Sequence, residues 1–375
     1  MKTKAALLWE AGQDWQVEEI ELGDPVAGEV QVRLAASGLC HSDEHLVTGS
    51  STPALYPVVG GHEGAGVVTK VGPAVTELAE GDHVVLAFIP ACGKCPPCAR
   101  GQQNLCDQGA GLLTGQAIAD GTHRIHARGK PAATMCLLGT FSPYVTVNQS
   151  SVVKIEDDVP LETAALLGCG VSTGWGSAAE IGATRPGQTV VVVGVGGVGI
   201  NAVQGAAAAG ARNVVAVDPV EFKRTKAVEF GATHAYPSME EAAAHVAELT
   251  WGRLADTTIL TVGELRGDQI AEALSLVGKG GQVIVTAMSD GKQIDAKIPL
   301  SALALWQKKV QGAIFGGISP RTQIPNLLHL YRQGRLKLDE LITRTYKLEE
   351  INEGYQDMRD GKNLRGVIRY TDADY

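Results

Sequence analysis

Apolar and polar positions alternate in short runs over about the first 150 residues of the chain. Runs such as EVQVRLAAS and GAGVVTKVG place an apolar side chain at nearly every second position, among many Val, Gly, Pro and Thr residues. This alternation is typical of strands that bury one face against a core. We therefore predict an all-β region with irregular loops.

From about Thr189 the apolar runs become continuous. The runs TVVVVGV, NVVAVD, TTILTVG, QVIVTAM and VQGAIFG are separated by helical patterns such as EFKRTKAVEFGA and EEAAAHVAELT. Uninterrupted apolar strands between helices indicate a parallel sheet that is covered on both faces. The tail after about Gly317 predicts a helix, a loop, a second helix and a last strand, GVIRY.

The composition is that of a globular protein, with 375 residues, 45% apolar and 19% charged, which is enough for two domains. A net charge of −9 without a long Lys/Arg run argues against nucleic acid and anionic membranes as partners. The stretch from Val190 to Ala211 is uncharged, but its six glycines favour a buried strand running into a buried helix over a membrane span. The first apolar stretch, AALLW, is too short for a secretory signal, so we expect a cytoplasmic protein.

A glycine motif follows the first of the continuous apolar strands. VVVVGVGGVG places Gly194, Gly196 and Gly199 in the pattern G-x-G-x-x-G, between this strand and an Ala-rich helix. The glycines permit a tight turn and a close approach of a pyrophosphate to the helix N-terminus. Asp218 stands 19 residues beyond Gly199, at the end of the next strand, where it can accept hydrogen bonds from an adenosine ribose. Because this acid would repel the additional phosphate of NADP, the motif predicts NAD.

Four of the seven cysteines are close together in CGKCPPCARGQQNLC, with the spacing C-x2-C-x2-C-x7-C. So many neighbouring thiols cannot all form unstrained disulfides, whereas four thiolates can surround one tetrahedral zinc ion. The ligands of this predicted site are Cys92, Cys95, Cys98 and Cys106. Since four sulfur ligands leave no open position for a substrate, we predict a structural zinc ion.

The stretch SGLCHSDEHL concentrates reactive side chains behind Cys40, and by itself it is compatible with a metal site, a nucleophile with its base, or a polar loop. His62 and Glu63 occur in GGHEGAG, and Cys169 occurs in LLGCGVSTGWGSA. Two thiolates and one imidazole would hold a zinc ion with a fourth position open for water or substrate. The spacing alone supports this second site only weakly. Cys136 has no partner in either set and is expected to be a buried thiol.

Taken together, GLCHSDEHL, GGHEGAG, the four-cysteine segment, GCGVSTGWG and GVGGVG resemble the zinc-dependent medium-chain alcohol dehydrogenases, in order and from end to end. The resemblance implies an α/β protein. A GroES-like β-rich catalytic domain would span residues 1–170, with residues 314–375 returning to it. A Rossmann domain with a doubly wound parallel sheet would bind NAD at residues 171–313. It also implies a homodimer or higher homo-oligomer that oxidises an alcohol to an aldehyde.

The resemblance carries roles for individual residues. Glu63 matches an acid that can approach the zinc ion while ligands exchange, and Asp43 matches the acid that orients the ligating histidine. Ser42 and His45 match a relay that carries the alcohol proton to solvent by way of the nicotinamide ribose. The implied ligands are Cys40, His62 and Cys169 for the catalytic zinc and the four clustered cysteines for the structural zinc. The implied cofactor contacts are His41, Thr173, Gly194, Gly196, Gly197, Val198, Gly199, Asp218, Lys223, Ala313, Phe315 and Arg365. The implied substrate pocket contains Phe88, Phe141 and Ile314.

Further runs, among them GLLTGQAIADGTHRIHARG, LLGTFSPY, IVTAMSD and DPVEFKR, resemble a narrower branch. These are the nicotinoprotein alcohol dehydrogenases, which are assayed with N,N-dimethyl-4-nitrosoaniline and linked to the redox cofactor mycofactocin. In that branch NAD(H) stays bound and a separate acceptor reoxidises it in place. The alternatives are a conventional enzyme with exchangeable NAD and a glutathione-dependent formaldehyde dehydrogenase. The latter is disfavoured, because Ser51 and Ala110 replace its pocket Asp and Arg.

A rival of another class is a relative that has lost catalysis and only binds a nucleotide. Such a relative would be expected to lack the catalytic zinc ligands, and Cys40, His62 and Cys169 are all present. The aromatic and aliphatic pocket residues favour primary aliphatic or aromatic alcohols as substrates.

Overall fold

The computed structural model describes residues 1–375. The strands are β1 (Lys2–Leu8), β2 (Gln16–Leu22), β3 (Glu29–Gly38), β4 (Val58–Val59), β5 (Gly64–Val71), β6 (His83–Leu86), β7 (Ile125–Ala127), β8 (Lys130–Thr134), β9 (Tyr144–Asn148), β10 (Val152–Lys154), β11 (Thr189–Val193), β12 (Asn213–Val217), β13 (His234–Tyr236), β14 (Ala255–Leu260), β15 (Val277–Val285), β16 (Lys309–Gly312), β17 (Ile342–Tyr346) and β18 (Arg365–Arg369). The helices are α1 (His41–Thr48), α2 (Pro96–Ala99), α3 (Leu161–Ala164), α4 (Gly170–Gly176), α5 (Gly199–Ala208), α6 (Glu221–Glu229), α7 (Met239–Leu249), α8 (Gly267–Leu276), α9 (Leu300–Leu305), α10 (Pro320–Arg332) and α11 (Ile351–Arg359). None of these helices combines the length and the apolar composition needed to cross a lipid bilayer.

The chain divides into two compact units. The first unit comprises residues 1–169 and 319–375, and the second comprises residues 170–318. The second unit is thus inserted between two segments of the first, and the chain returns to the first unit for its last four helices and strands, α10, β17, α11 and β18.

The first unit contains a closed barrel and a larger open sheet. Strands β1, β2, β7, β8 and β4 close the barrel, and the second sheet has the order β10-β6-β5-β3-β18-β17, with β9 also paired to β3. Its core includes Leu34, Val68 and Leu86, none of which is more than 1% exposed. This is the β-rich architecture that the alternating pattern predicts. The pattern missed β17 in the tail, because ITRTY is mostly polar and only its last residue is buried.

The second unit contains six parallel strands in the order β13-β12-β11-β14-β15-β16. The strand order reverses at β11, and ligands of such doubly wound sheets bind at the carboxyl ends of the strands beside this reversal. The predicted doubly wound sheet is confirmed, and the uncharged stretch after Val190 forms β11 and α5. Sequence reasoning missed β13, since HAY is only three residues long and half-buried.

Candidate metal and cofactor sites

The four clustered cysteines surround a common point in the first unit. Their sulfur atoms all lie within 4.8 Å of one another, with Sγ–Sγ distances of 4.0 Å for Cys92–Cys98 and 3.8 Å for Cys95–Cys106. A tetrahedral zinc ion with Zn–S bonds of about 2.3 Å requires sulfur atoms about 3.8 Å apart. None of the four forms a disulfide. The donor set therefore fits a closed four-sulfur metal site.

Backbone amides of the same loop point at these sulfur atoms. The N–H groups of Cys92, Cys95 and Asp107 donate to the sulfur atoms of Cys106, Cys92 and Cys95, each at 3.4 Å. Burial opposes ionisation of Cys92, but N–H groups of Lys94 and Cys95 outweigh it and lower the pKa of this thiol to about 7. The loop thus favours a thiolate, the form that binds zinc, at Cys92 before any metal binds. Burial has the opposite effect on its neighbours, since it raises the pKa of Cys98 and raises that of Cys106 to about 12.

The second cluster brings together residues from three separate parts of the first unit. Cys40 precedes α1, His62 and Glu63 precede β5, and Cys169 follows a short helical turn at residues 165–168. The ligand atoms of these four residues lie within 4.8 Å of one another, and no side chain is more than 8% exposed. A hydrogen bond from Cys169 holds the pKa of Cys40 well below its ordinary value. Two buried thiols, an imidazole and a carboxylate form a compact set of metal-binding atoms.

Asp43 fixes the orientation of His62. The Oδ2 atom of Asp43 lies 3.0 Å from Nδ1 of His62, and its Oδ1 atom accepts a hydrogen bond of 2.7 Å from the Gly61 amide. Burial would lower the pKa of His62, but Asp43 and the two thiols raise it well above its ordinary value. The cluster of Cys40, His62 and Cys169 therefore favours a positive charge. Since Asp43 engages Nδ1 of His62, Nε2 is the ring nitrogen that can bind a metal.

Glu63 and Arg365 form an ion pair beside this cluster. The guanidinium of Arg365 binds the Glu63 carboxylate and also donates to the Leu39 carbonyl at 3.0 Å, and both charged side chains are at most 3% exposed. Burial raises the pKa of Glu63, although Arg365 opposes this rise. The resemblance implies that Arg365 contacts the cofactor pyrophosphate, whereas in the structure its guanidinium binds Glu63 and the Leu39 carbonyl.

The remaining reactive residues of SGLCHSDEHL lie on α1. Ser42 and His45 are three positions apart, on the same side of the helix, and the Ser42 hydroxyl lies 3.8 Å from the Cys40 sulfur. His45 is 6% exposed, whereas His41 at the start of the helix is exposed. This stretch is therefore a helix that places a hydroxyl beside the Cys40 sulfur and an imidazole one turn further along.

The glycine motif forms the turn between β11 and α5. Gly194 has φ +85°, and an added Cβ on Gly199 would lie 1.9 Å from the Gly194 carbonyl, so larger residues cannot replace them. An added Cβ on Gly196 would meet nothing within 4 Å, which leaves open space beside the backbone. Asn201 donates to the Gly197 carbonyl at 2.8 Å. The turn thus offers free backbone and a helix N-terminus to an anionic group.

Asp218 is buried at the carboxyl end of β12 and connects the glycine turn to the next loop. Its Oδ2 atom accepts a hydrogen bond of 3.0 Å from the Val195 amide, and its Oδ1 atom accepts one of 2.9 Å from the Val220 amide. The Arg224 guanidinium donates to the carbonyl oxygens of Asp218 and Pro219, both at 2.8 Å. The loop that would border an adenosine ribose is therefore held at both ends.

The other predicted cofactor contacts of the second unit lie on or beside α4, α5 and α6 or in the segment that follows β16. Thr173 is 7% exposed and its buried hydroxyl has no hydrogen-bond partner, while Val198 caps α5 and Lys223 is half-buried on α6. Ala313 and Phe315 are at most 8% exposed and follow β16. The unpartnered hydroxyl of Thr173 is a donor available to a ligand.

The predicted pocket residues have three different environments. Phe88 is half-buried, and its ring centre lies 5.8 Å from that of His62 in an edge-on arrangement. Ile314 is 41% exposed. Phe141 is completely buried and packs edge-on against Trp15 at 5.6 Å, so it belongs to the core of the first unit. Of the three, only Phe88 is placed beside the metal-binding atoms of its own unit.

Sequence reasoning missed two residues that support the cofactor turn. One is Arg224, and the other is Thr261, whose hydroxyl donates to the Gly194 carbonyl at 2.6 Å and to the Val193 carbonyl at 3.0 Å. Thr261 directly follows β14, which pairs with β11. A polar residue at the end of a neighbouring parallel strand is the signal that could have revealed it.

Comparisons with known proteins agree with this arrangement. The family described as alcohol dehydrogenase GroES-like domain matches residues 20–157, and the family described as zinc-binding dehydrogenase matches residues 197–333. Alcohol dehydrogenase B of Mycobacterium tuberculosis is 56% identical over 374 residues, which cover 100% of both chains. The NDMA-dependent alcohol dehydrogenase of Amycolatopsis methanolica is 54% identical, over 99% of this chain and 100% of its own.

Solved structures give the same result for the fold. The crystal structure of benzyl alcohol dehydrogenase from Acinetobacter calcoaceticus superimposes with a TM-score of 0.91 and 30% identity, covering 99% of this chain and 100% of its own. Both units therefore have counterparts of the same architecture, in the same order, in one known enzyme.

Proposed function

Since this chain belongs to the zinc-dependent medium-chain alcohol dehydrogenases, we propose that it oxidises primary aliphatic or aromatic alcohols with NAD that remains bound between turnovers. A separate redox acceptor, of the mycofactocin type, would then reoxidise the cofactor in place. The observation that carries the proposal is the buried cluster of Cys40, His62 and Cys169 beside Glu63 and Phe88. The chain's full-length similarity to an NDMA-dependent alcohol dehydrogenase supports a cofactor that stays bound.

Two zinc ions per chain fit the side chains. The four clustered cysteines would hold a structural ion, and Cys40, Cys169 and Nε2 of His62 would hold a catalytic ion with one position open to substrate. Bound there, zinc supplies Lewis acidity that favours loss of the substrate hydroxyl proton. Glu63 is close enough to take part when ligands exchange, and its pairing with Arg365 limits the net charge of the site.

The residues of α1 would remove that proton. Ser42 lies nearest to the cluster and would accept a hydrogen bond from the substrate hydroxyl. The proton would then pass by way of the nicotinamide ribose to His45, one turn further along the helix, and from there to solvent. Asp43, between them in sequence, turns toward His62 and takes no part in this proton path. One short helix thus supplies both the alignment of the metal ligand and the proton path.

The glycine turn would hold the pyrophosphate of NAD, and Asp218 would receive the adenosine ribose. NAD, when bound, accepts the hydride from the alcohol carbon. Retention of the nucleotide is supported by the loop after β12, where Arg224 binds two carbonyl oxygens and Pro219 restricts the backbone. A loop that is held in its binding conformation opens less often, which slows dissociation.

The substrate class rests on the apolar surroundings of the metal-binding atoms. Phe88 and His62 have their rings in an edge-on arrangement. Where the glutathione-dependent branch has a pocket Asp and Arg, this chain has the uncharged residues Ser51 and Ala110. The benzyl alcohol dehydrogenase with the same fold acts on an aromatic alcohol by its name. We therefore place uncharged primary alcohols ahead of glutathione adducts. A homodimer in the cytoplasm remains part of this proposal.

The first experiment is to denature gel-filtered protein with acid and to quantify the released nucleotide. About one NAD(H) per chain is expected for a bound cofactor, and the protein should then oxidise benzyl alcohol with N,N-dimethyl-4-nitrosoaniline without added NAD. Protein that emerges without nucleotide, and that needs added NAD, would be a conventional dehydrogenase. That is the alternative function, which the same fold and zinc ligands also permit.

A further inference from the structure

The amino edge of the six-stranded sheet holds a cavity of about 800 Å³ that none of the functions proposed above uses. Its walls come from the segments that precede or begin β11, β12, β14, β15 and β16, together with the loop after α7. The glycine turn follows the carboxyl end of β11. The cavity and the cofactor turn therefore lie at opposite edges of the same sheet, separated by the length of a strand, about 16 Å.

Basic side chains dominate the charge of this cavity. Arg212, Arg253, Lys279 and Lys308 line it, and none of them forms an ion pair within the chain. The only acidic lining residue is Asp256, and its Oδ2 atom already accepts a hydrogen bond of 2.8 Å from the Thr189 amide. In a chain of net charge −9, this is a local excess of uncompensated positive charge, which attracts anions.

Lys308 is the most buried of the four cations, at 7% exposure. Its ammonium donates to the Leu274 carbonyl at 2.7 Å and lies 5.0 Å from the centre of the Trp306 ring. Buried ammonium groups are ordinarily paired with a carboxylate, because desolvation of an unpaired charge is costly. A carbonyl and a ring compensate for this cost only in part, so an anion in the cavity would supply the missing negative charge.

Trp251 holds the two arginines against one ring. The guanidinium carbons of Arg212 and Arg253 lie 5.1 and 5.3 Å from the centre of this ring, which is 73% exposed although it is a large apolar group. Stacking on an aromatic face limits the rotation of each guanidinium. Two planar groups with several N–H donors each are thereby held beside the same ring, and guanidinium groups bind phosphate oxygens in a bidentate manner.

We propose that this cavity binds a small organic phosphate, at a site separate from the cofactor turn. The volume is that of a site for a small organic molecule rather than for an ion alone. The phosphate would contact the guanidiniums of Arg212 and Arg253 and approach Lys308, while Trp306 would cover the organic part. A phosphate group is preferred over a single carboxylate because several cations face it and none has a carboxylate of its own.

The test is titration calorimetry on zinc-loaded protein in saturating NAD, which keeps the cofactor turn filled. Glucose 6-phosphate is the probe, inorganic pyrophosphate is the inorganic comparison, and glucose is the neutral control. We expect glucose 6-phosphate to bind, to bind more weakly as salt is added, and to bind at least about tenfold more weakly to the double variant Arg212→Ala/Arg253→Ala. The matched control is Arg266→Ala, which removes a 63% exposed arginine of the same unit outside the cavity and should leave the affinity unchanged.

A second readout is tryptophan fluorescence, which should change on addition of glucose 6-phosphate and should no longer change in the same way in Trp251→Phe. Equal affinity of the wild type and the double variant would overturn the proposal, as would an equal loss in Arg266→Ala. The absence of any heat or fluorescence change with either phosphate would do the same. Pyrophosphate that binds as tightly as glucose 6-phosphate would reject the organic ligand in favour of an inorganic anion.

Discussion

The two sulfur-rich clusters of the first unit have the same size and opposite construction. In both, the ligand atoms lie within 4.8 Å of one another. The cysteines of one cluster all fall between positions 92 and 106, and two of them are half-buried. The residues of the other come from positions 40, 62, 63 and 169 and are all buried.

This difference shows how local and assembled sites are built. The sulfur atoms of the clustered cysteines accept hydrogen bonds from amides of their own loop, so residues of this short segment largely determine the arrangement of the site. The assembled site depends on the ends of three elements and on two further residues, Asp43 and Arg365, that hold His62 and Glu63. We therefore expect changes at the assembled site to affect the reaction most, and changes at the local site to affect stability most.

The largest expected effect comes from Cys40→Ala, which removes a ligand of the assembled site. Activity with benzyl alcohol should fall by about three orders of magnitude or more, because the Lewis acid would no longer be held beside the substrate. The zinc content measured by mass spectrometry should fall from about two ions per chain to about one.

The control for this variant is Cys136→Ala, which removes a thiol that is 7% exposed and belongs to neither cluster. It should keep about two zinc ions and most of the activity, at a modest cost in stability. A Cys40→Ala protein that retained both ions and its activity would show that the assembled cluster is not the catalytic metal site.

The second prediction concerns Cys95→Ser, at the local site. Loss of this ligand should lower the free energy of unfolding by about 4 kcal/mol, since the loop would lose the ion that joins its four sulfur atoms. Denaturant unfolding checks the stability, and zinc analysis should again give about one ion per chain. The activity of the folded fraction should fall far less than in Cys40→Ala; an equal fall would remove the functional distinction between the clusters.

The same distinction explains how much the sequence could predict. The spacing of Cys92 to Cys106 identifies the local site unaided, because neighbouring residues in one loop can reach a common ion. The spacing of Cys40, His62 and Cys169 carries little geometric information, since the distance between them depends on the folding of β3, β5 and the turn before Cys169. In the sequence, only the ordered set of motifs links these three residues, through the resemblance.

The sheets follow a similar rule. The continuous apolar runs predicted five of the six parallel strands, because a strand buried on both faces must be apolar throughout. The edge strand β16 is the exception, since all four of its residues are exposed. The short strands β13 and β17 escaped, since pairing with a neighbour stabilises them and their own side chains are half-buried or polar. The supporting residues Arg224 and Thr261 were also missed, because each donates to backbone carbonyls; only Thr261, as a polar residue directly after β14, has a position in the sequence that could have revealed it.

A smaller effect is expected from Asp43→Asn, which tests the support of the assembled site. The amide would keep the shape of Asp43 but would no longer stabilise the ring orientation of His62 by its charge, so activity should fall about 10- to 100-fold. The zinc ion of the assembled site should also be lost faster to a chelator. A purely structural change would not act on only one of the two ions. Unchanged zinc release together with unchanged activity would contradict the role assigned to Asp43.

The smallest effect is expected from Arg224→Met, which tests an indirect support of the same kind in the second unit. Arg224 touches no reacting group, yet its two hydrogen bonds of 2.8 Å hold the loop that carries Asp218. Their loss should speed the release of NAD about tenfold, as measured by trapping the freed nucleotide, because charged donors of this kind contribute on the order of 1.5 kcal/mol. The matched control is Lys226→Met on the same helix, whose amine pairs with the half-exposed side chain of Glu229 and not with the loop. If both variants released NAD at the wild-type rate, retention would have to depend on the glycine turn and Asp218 rather than on the loop that Arg224 restrains.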